Sequence, residues 1–384
     1  MSNDIKKVAV LGTGVMGGQI AAHLTNANFE VYAFDMDQEI AERGMKATQD
    51  IKPAAFYNKK SADMIKVMNY NDHLEKITEC DWILEAISER IDWKKDLYAK
   101  ITPYISDSAI LTSNTSGIAL SELSEDMNQD LKDRFFITHF FNPPRYMKLV
   151  ELIYPDSVKK DALSSIEKIL EDDLGKGVVH AKDTPNFIAN RIGVFGMMNV
   201  LSVATDMKLS VEDIDFFTGT LIGRPKSGTF RTADIVGLDT MSFVAKTAYE
   251  KCMDDESRDT FIIPDYIGKM LENNWMGQKS GQGFYKKIEK GVIHSIDLNT
   301  LEYSPQNKKK YSGVRIAKEF NCLEDRIEKL CYSSDPSGEF TWKTISKTLI
   351  YSANRIPEIA DNIYSIDRSM RWGFAWDRGP FEVW

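Results

Sequence analysis

At 384 residues the chain is long enough for two or three domains, and 43% hydrophobic with 27% charged residues excludes a disordered, collagen-like or multi-span membrane protein. Lys plus Arg number 48 against 57 Asp plus Glu, so the net charge is −9, which argues against a general nucleic-acid binder and leaves any polyanionic ligand to a local basic patch. Cys80, Cys252, Cys322 and Cys331 show no C-x-x-C spacing, and neither a signal peptide nor a run of roughly 18 apolar residues is present. These features suggest reduced thiols, no metal, no membrane span and a cytoplasmic setting.

Residues 6–11 (KVAVLG) form an apolar, β-branched run, the pattern of a strand buried on both faces of a parallel sheet. Gly12, Gly14 and Gly17 follow in G-x-G-x-x-G spacing, then a helical stretch from Gln19 to Asn26 and a second strand from Phe29 to Phe34, ending at Asp35. Each position has a task in a dinucleotide site. Gly12 makes the tight turn, Gly14 lets the backbone approach a pyrophosphate, and Gly17 brings helix and strand together. The helix N-terminus offers free N–H groups to the diphosphate, and Asp35 is placed for a ribose 2′-hydroxyl. Met36 and not Arg follows Asp35, so NAD is expected over NADP, with FAD a weaker alternative.

Residues 38–70 read as one or two exposed helices broken near Pro53. Strands are expected at 80–89, 109–116 and 134–144, with a helix over KKDLYAKITPYI, which implies a doubly wound α/β sheet. Ligands in such sheets bind beyond the C-terminal strand ends, where Glu85, Glu89, Ser113, Asn114, Ser116, His139 and Asn142 fall. His139 stands out among five histidines, because Glu151 lies twelve residues on within the apolar run MKLVELI. A carboxylate there needs a partner. A histidine would supply one, and the carboxylate would in turn orient the imidazole and stabilise the imidazolium. The bland alternative is a satisfied core histidine and an edge-strand charge. His23, His73, His180 and His294 lack such a setting and are expected on helix or loop surfaces.

Asp183-Thr184-Pro185 marks a boundary, so the nucleotide-binding domain is expected over 1–185 and a helical domain over 186–287. Residues 288–312 read as a polar linker or weak hairpin, and helical signals resume over 313–384. ANRI occurs at 189–192 and again at 353–356, and Ile214-Asp215 before GRPKSGTF parallels Ile366-Asp367 before RWGFAWDRGPFEVW. The echoes suggest that 313–384 repeats the helical domain incompletely.

VAVLGTGVMGGQIA, LEAISE, SNTSGI, HFFNPPRYMKLVELI, KDTPNFIANRI, GRPKSGTFRTADIVGLDT and KSGQGFYKK stand in the order found in the 3-hydroxyacyl-CoA dehydrogenases of fatty-acid β-oxidation, which the chain resembles over about residues 5–287. The resemblance implies a Rossmann-type sheet followed by all-α domains like the C-terminal domain of 6-phosphogluconate dehydrogenase. It further implies oxidation of a (3S)-3-hydroxyacyl-CoA to the 3-ketoacyl-CoA with NAD. By the same resemblance His139 would be the general base, Glu151 its orienting carboxylate, and Ser116 and Asn190 would hydrogen-bond substrate oxygens. Glu89 and Lys94 match nicotinamide-ribose contacts, Asn142 a position near the nicotinamide, Lys279 a further cofactor contact, and Met16 and Asn114 also fall on the cofactor side. Ser116 could equally cap a helix beginning at Ile118.

Two departures put the acyl chain-length preference in doubt. Gly117 follows Ser116 where many relatives carry a second Ser, and Pro144-Arg145-Tyr146 replaces smaller apolar residues. Lys46, Lys52, Lys59 and Lys60 are the expected patch for the CoA phosphates. A dehydrogenase of a free hydroxy or sugar acid and a non-catalytic NAD-binding protein are the competing expectations. The longer, multifunctional relatives carry two helical repeats, so the ending at GPFEVW suggests a portion of a longer protein with a fused or downstream enoyl-CoA hydratase domain. A second repeat in the same chain suggests a monomer or weak homodimer.

Overall fold

The computed structural model describes residues 5–307 and 309–384. It divides into two compact units between Phe187 and Ile188. The first unit runs β1 (Lys7–Leu11), α1 (Val15–Asn26), β2 (Glu30–Asp35), α2 (Gln38–Asp50), β3 (Lys66–Asn69), β4 (Trp82–Glu85), α3 (Ile91–Ile101), β5 (Ile110–Ser113), α4 (Leu120–Ser124), α5 (Gln129–Lys132), β6 (Phe135–Phe140), β7 (Leu149–Ile153), α6 (Lys160–Lys168) and β8 (Gly177–His180). These strands form one sheet in the order β3-β2-β1-β4-β5-β6-β7-β8.

The strands β3 to β6 pair in parallel, and β7 turns antiparallel to β6 with His139 opposite Glu151. The reason is local. Residues 141–148 are too few for the helical crossover of roughly a dozen residues that a parallel return requires. Both faces of the sheet are covered, Val8, Val10, Trp82 and Leu84 packing on one side and Ala9, Leu11, Ile83 and Leu111 on the other. Burial on both faces explains why these strands read as continuous apolar runs rather than as alternating patterns.

One expectation in this unit is corrected. Residues 38–70 are not helical throughout: β3 occupies Lys66–Asn69 at the sheet edge, paired only with β2. An edge strand of four residues with an exposed Lys66 carries no apolar signature.

The second unit contains α7 (Ala189–Met207), α8 (Val211–Phe217), α9 (Phe230–Val236), α10 (Leu238–Lys251) and α11 (Asp265–Glu272), then β9 (Tyr285–Glu289), β10 (Val292–Ile296) and β11 (Tyr303–Pro305). It ends in α12 (Ser312–Ala317), α13 (Leu323–Cys331), α14 (Pro336–Asn354), α15 (Ile363–Gly373) and α16 (Pro380–Val383). The stretch expected as a polar linker or weak hairpin contributes to a three-stranded antiparallel sheet in the order β11-β10-β9, whose β9–β10 pair is a hairpin. Lys290 and Gly291 form its two-residue hairpin, with Gly291 at φ +87°. The outer half of β9 is exposed, which is why the sequence reads as polar there.

The aspartate echo has a structural counterpart. Asp215 on α8 accepts the N–H groups of Phe230 and Arg231 at 2.6 and 2.9 Å, and Asp367 on α15 accepts that of Phe381 at 2.8 Å. In each case a glycine, Gly228 or Gly379, packs directly against the aspartate, where a Cβ would come within 2.8 Å of it. The ANRI echo has none, since the first copy opens α7 and the second spans the end of α14.

Candidate active site

The glycine turn connects β1 to α1. Gly12 sits at φ +102° with the Ala86 carbonyl 2.7 Å from where a Cβ would be, so a side chain is excluded both by conformation and by space. A Cβ on Gly17 would lie 1.9 Å from the Gly12 carbonyl oxygen, while beside Gly14 there is open space to 4 Å. Among the described residues no side chain caps the first turn of α1. An open backbone approach beside an uncapped helix N-terminus is what an anionic pyrophosphate requires, so these residues fit a dinucleotide. Met16 is partly buried against the core. Asp35, at the end of β2, accepts the Thr13 N–H and hydroxyl on one oxygen, both at 2.7 Å, and the Met36 N–H on the other. Thr13 thus fixes the carboxylate beside the glycine turn, and acceptor lone pairs remain for a ribose hydroxyl.

His139 lies at the C-terminal end of β6, 4% exposed, and its Nδ1 is 2.7 Å from Oε2 of the fully buried Glu151. Antiparallel register puts the two residues opposite each other, and Phe141 and Phe187 flank the ring with centroids 4.4 and 5.7 Å away. The apolar walls strengthen the pairing, because a hydrogen bond gains strength as water is excluded from it.

A second buried network lies at the ends of β4 and β5. Glu85, fully buried, takes hydrogen bonds from Lys94 Nζ, Tyr98 Oη and Ser113 Oγ at 2.6, 2.7 and 2.6 Å. Its neighbour Glu89 accepts the Thr115 hydroxyl at 2.6 Å and the N–H groups of Ser116 and Gly117 at 2.8 and 3.0 Å. Ser116 Oγ lies 3.2 Å from the same oxygen. Asn114 accepts the Phe140 N–H, and Asn142 accepts from Gln19 Nε2, which ties the β6 end to α1.

The family model for the 3-hydroxyacyl-CoA dehydrogenase NAD binding domain matches residues 7–184, and that for the 3-hydroxyacyl-CoA dehydrogenase C-terminal domain matches 187–287. The chain belongs to the 3-hydroxyacyl-CoA dehydrogenase family.

A probable 3-hydroxyacyl-CoA dehydrogenase of Bacillus subtilis is 42% identical over the whole of this chain and 51% of its own length. One of Deinococcus radiodurans is 41% identical, covering 74% of this chain and 84% of the relative. The chain therefore spans about half the length of the Bacillus relative. The structure of an Escherichia coli K12 3-hydroxybutyryl-CoA dehydrogenase matches with a TM-score of 0.73 at 18% identity, over 98% of this chain and 90% of that one, so the fold likeness extends past residue 287. As a member of this oxidoreductase family the chain binds NAD through its first unit.

Within this chain several expectations are corrected. Ser116 does not cap a helix from Ile118: α4 starts at Leu120, and the Asp183 carboxylate accepts the Leu120 and Ser121 N–H groups at 2.6 and 3.1 Å. His23 is not on a surface but 5% exposed within α1, its Nε2 3.2 Å from the Leu174 carbonyl oxygen. Burial, with Lys176 nearby, lowers its pKa to about 4. The lysine patch does not share one helix, since Lys46 is on α2, Lys52 follows it, and Lys59 and Lys60 lie in a separate short helical turn. All four are exposed, and Lys59 pairs with Asp50 at 3.3 Å.

Lys94 is 1% exposed and is the counter-ion of Glu85. Asn190 and Lys279 belong to the second unit, Asn190 half-buried on the first turn of α7 and Lys279 paired with Asp239 at 2.6 Å. Sequence reasoning missed Thr13, Gln19 and the hub role of Glu85. An acid closing the apolar run CDWILE was the one available signal for the last. Among the described residues no cluster of metal-ligating side chains occurs, and no helix is long and apolar enough to cross a membrane.

Proposed function

We propose that this chain oxidises a (3S)-3-hydroxyacyl-CoA to the 3-ketoacyl-CoA, with His139 as the general base. The observation that carries this reading is the buried His139–Glu151 pair, joined at 2.7 Å at the end of β6. Because Nδ1 is held by the carboxylate, Nε2 is the atom that takes the 3-hydroxyl proton, and Glu151 stabilises the imidazolium that results. NAD, when bound, supplies the acceptor for the hydride leaving C3. Removing the hydroxyl proton raises electron density on the carbinol oxygen, which is what lets the hydride depart.

Ser116 and Asn190 are assigned hydrogen bonds to substrate oxygens. Of the two ribose candidates, Glu89 retains exposed surface whereas Lys94 is enclosed, which favours Glu89 as the direct contact. Lys46, Lys52, Lys59 and Lys60 remain the candidates for the CoA phosphates, and Asn142, Asn114, Met16 and Lys279 for cofactor contacts. The activity would serve fatty-acid β-oxidation in the cytoplasm, after hydration of an enoyl-CoA by a fused or separate domain. The Rickettsia relatives named as putative fatty acid oxidation complex trifunctional enzymes support that setting.

NADH formation from 3-hydroxybutyryl-CoA, set beside longer esters and free 3-hydroxybutyrate, tests the proposal. Turnover of the esters and not of the free acid is expected. Failure of every CoA ester would overturn it. The chain should also behave as a monomer or weak dimer, and a molar mass near two chains by light scattering at low concentration would contradict that.

A further inference from the structure

The second unit contains a cleft of about 1090 Å³ that the dehydrogenase chemistry does not use, bounded by α8, the start of α9, β9, β10, Gln306 and residues 309–318. The size suits a small organic ligand, for which pockets of roughly 300–1,000 Å³ are usual. Its lining pairs two chemistries. Phe216, Tyr285 and Tyr311 provide aromatic surface, with Ile293 and Val314 beside them. Lys226, Arg231, Lys309, Lys310, Arg315 and Lys318 provide six cationic side chains.

The three acids lining the cleft, Glu212, Asp213 and Asp215, are fewer than the cations and, among the described residues, form no ion pair with them. Asp215 is bonded to the Phe230 and Arg231 N–H groups and to Tyr285 Oη at 2.7 Å. Asp213 accepts from Tyr311 Oη at 2.9 Å, and Glu212 from the Asn307 N–H at 2.8 Å. Among the described residues the one carboxylate ion pair made by the six cations is Arg231 with Asp234, at 3.8 Å. Lys318 lies over the Phe216 ring instead, 4.4 Å from its centroid. Six cations converging on a concave aromatic surface, five of them without a carboxylate partner among the described residues, suit an anion in a chain of net charge −9.

We propose that this cleft binds a nucleoside polyphosphate, its base on the aromatic floor and its phosphates on the Lys309–Lys310–Arg315 side. The same chemistry is offered by a free nucleoside diphosphate and by the nucleotide end of a CoA ester. The proposal does not depend on the catalytic assignment of His139.

The test is titration of the full chain with a fluorescent ADP derivative in saturating NAD, which keeps ADP out of the dinucleotide site. One saturable site per chain is expected, weakening as salt is added. The double variant Lys310→Glu, Arg315→Glu should bind at least about tenfold more weakly. Both side chains are exposed, so wild-type melting of the variant confirms that folding is intact. Phe216→Ala should weaken ADP more than inorganic pyrophosphate, because only ADP uses the ring. Displacement of the probe by free CoA more readily than by unlabelled ADP would make the CoA end the natural ligand, and the reverse order a free nucleotide. Absence of binding to the NAD-saturated chain, or undiminished binding by the double variant, would overturn the proposal.

Discussion

Two histidines of the first unit are buried almost equally and meet opposite kinds of partner. His23, in α1, is 5% exposed; among the described residues its Nε2 meets the neutral Leu174 carbonyl and its Nδ1 has no hydrogen-bond partner, and the positive charge of Lys176 acts on it. His139, at the end of β6, is 4% exposed and faces the Glu151 carboxylate at 2.7 Å. Burial by itself disfavours the charged imidazole, and the low pKa of His23, about 4, is the outcome. His139 has a carboxylate across the ring where His23 has a carbonyl. Depth in the core therefore does not distinguish the two histidines, whereas the partner across the ring does.

The comparison breaks first at the His139 pair. His139→Gln should lower kcat roughly 10²–10⁴-fold while NAD affinity, measured by titration, stays near wild type. A near-normal rate would move the base elsewhere. Glu151→Gln keeps a hydrogen-bonding side chain but removes the charge, and should lower kcat by about 10²-fold. If it leaves the rate intact, the carboxylate is only a packing partner.

Asp35→Ala tests the cofactor half of the site and should weaken NAD about tenfold, with NADP less affected. Equal losses for both cofactors would undercut the ribose assignment.

The smallest effect sharpens the His23 side. Its folded pKa, about 4, lies below the ordinary 6.5, so between those values the native state binds fewer protons than the unfolded chain. Stability should consequently fall as pH drops from 6.5 toward 4, by up to about 1.4 kcal/mol per pH unit from this group. Asp215 acts with the opposite sign, since burial raises its pKa to about 7 and its contribution grows as pH falls from there. Urea unfolding of wild type and His23→Leu at pH 7 and pH 5 separates the two. The variant should lose less stability than wild type on acidification, and identical losses would show that His23 does not titrate in this range.

Legibility in the sequence followed one physical distinction. Strands buried on both faces must be apolar throughout, so β1, β4, β5 and β6 announced themselves, and β3 and β9, short or exposed, did not. The glycine fingerprint was readable because each glycine answers a local demand, a positive φ at Gly12 or a 1.9 Å approach at Gly17. Glu151 was readable because a charge inside VELI needs a partner.

What the sequence by itself determined is the nucleotide-binding βαβ turn, the alternation of strand and helix that makes a doubly wound sheet, and the candidacy of His139 and Glu151. Only the tertiary structure decided who pairs with whom. It joined Lys94 to Glu85 rather than leaving it at a surface, capped α4 with Asp183 from 63 residues away, enclosed His23, and folded a polar stretch into a sheet that helps form a cationic cleft. Residue type and spacing report the demands a segment makes on its own backbone and on water. The identity of a long-range partner depends on which strand end or helix the topology brings alongside, and that is not encoded in any single segment.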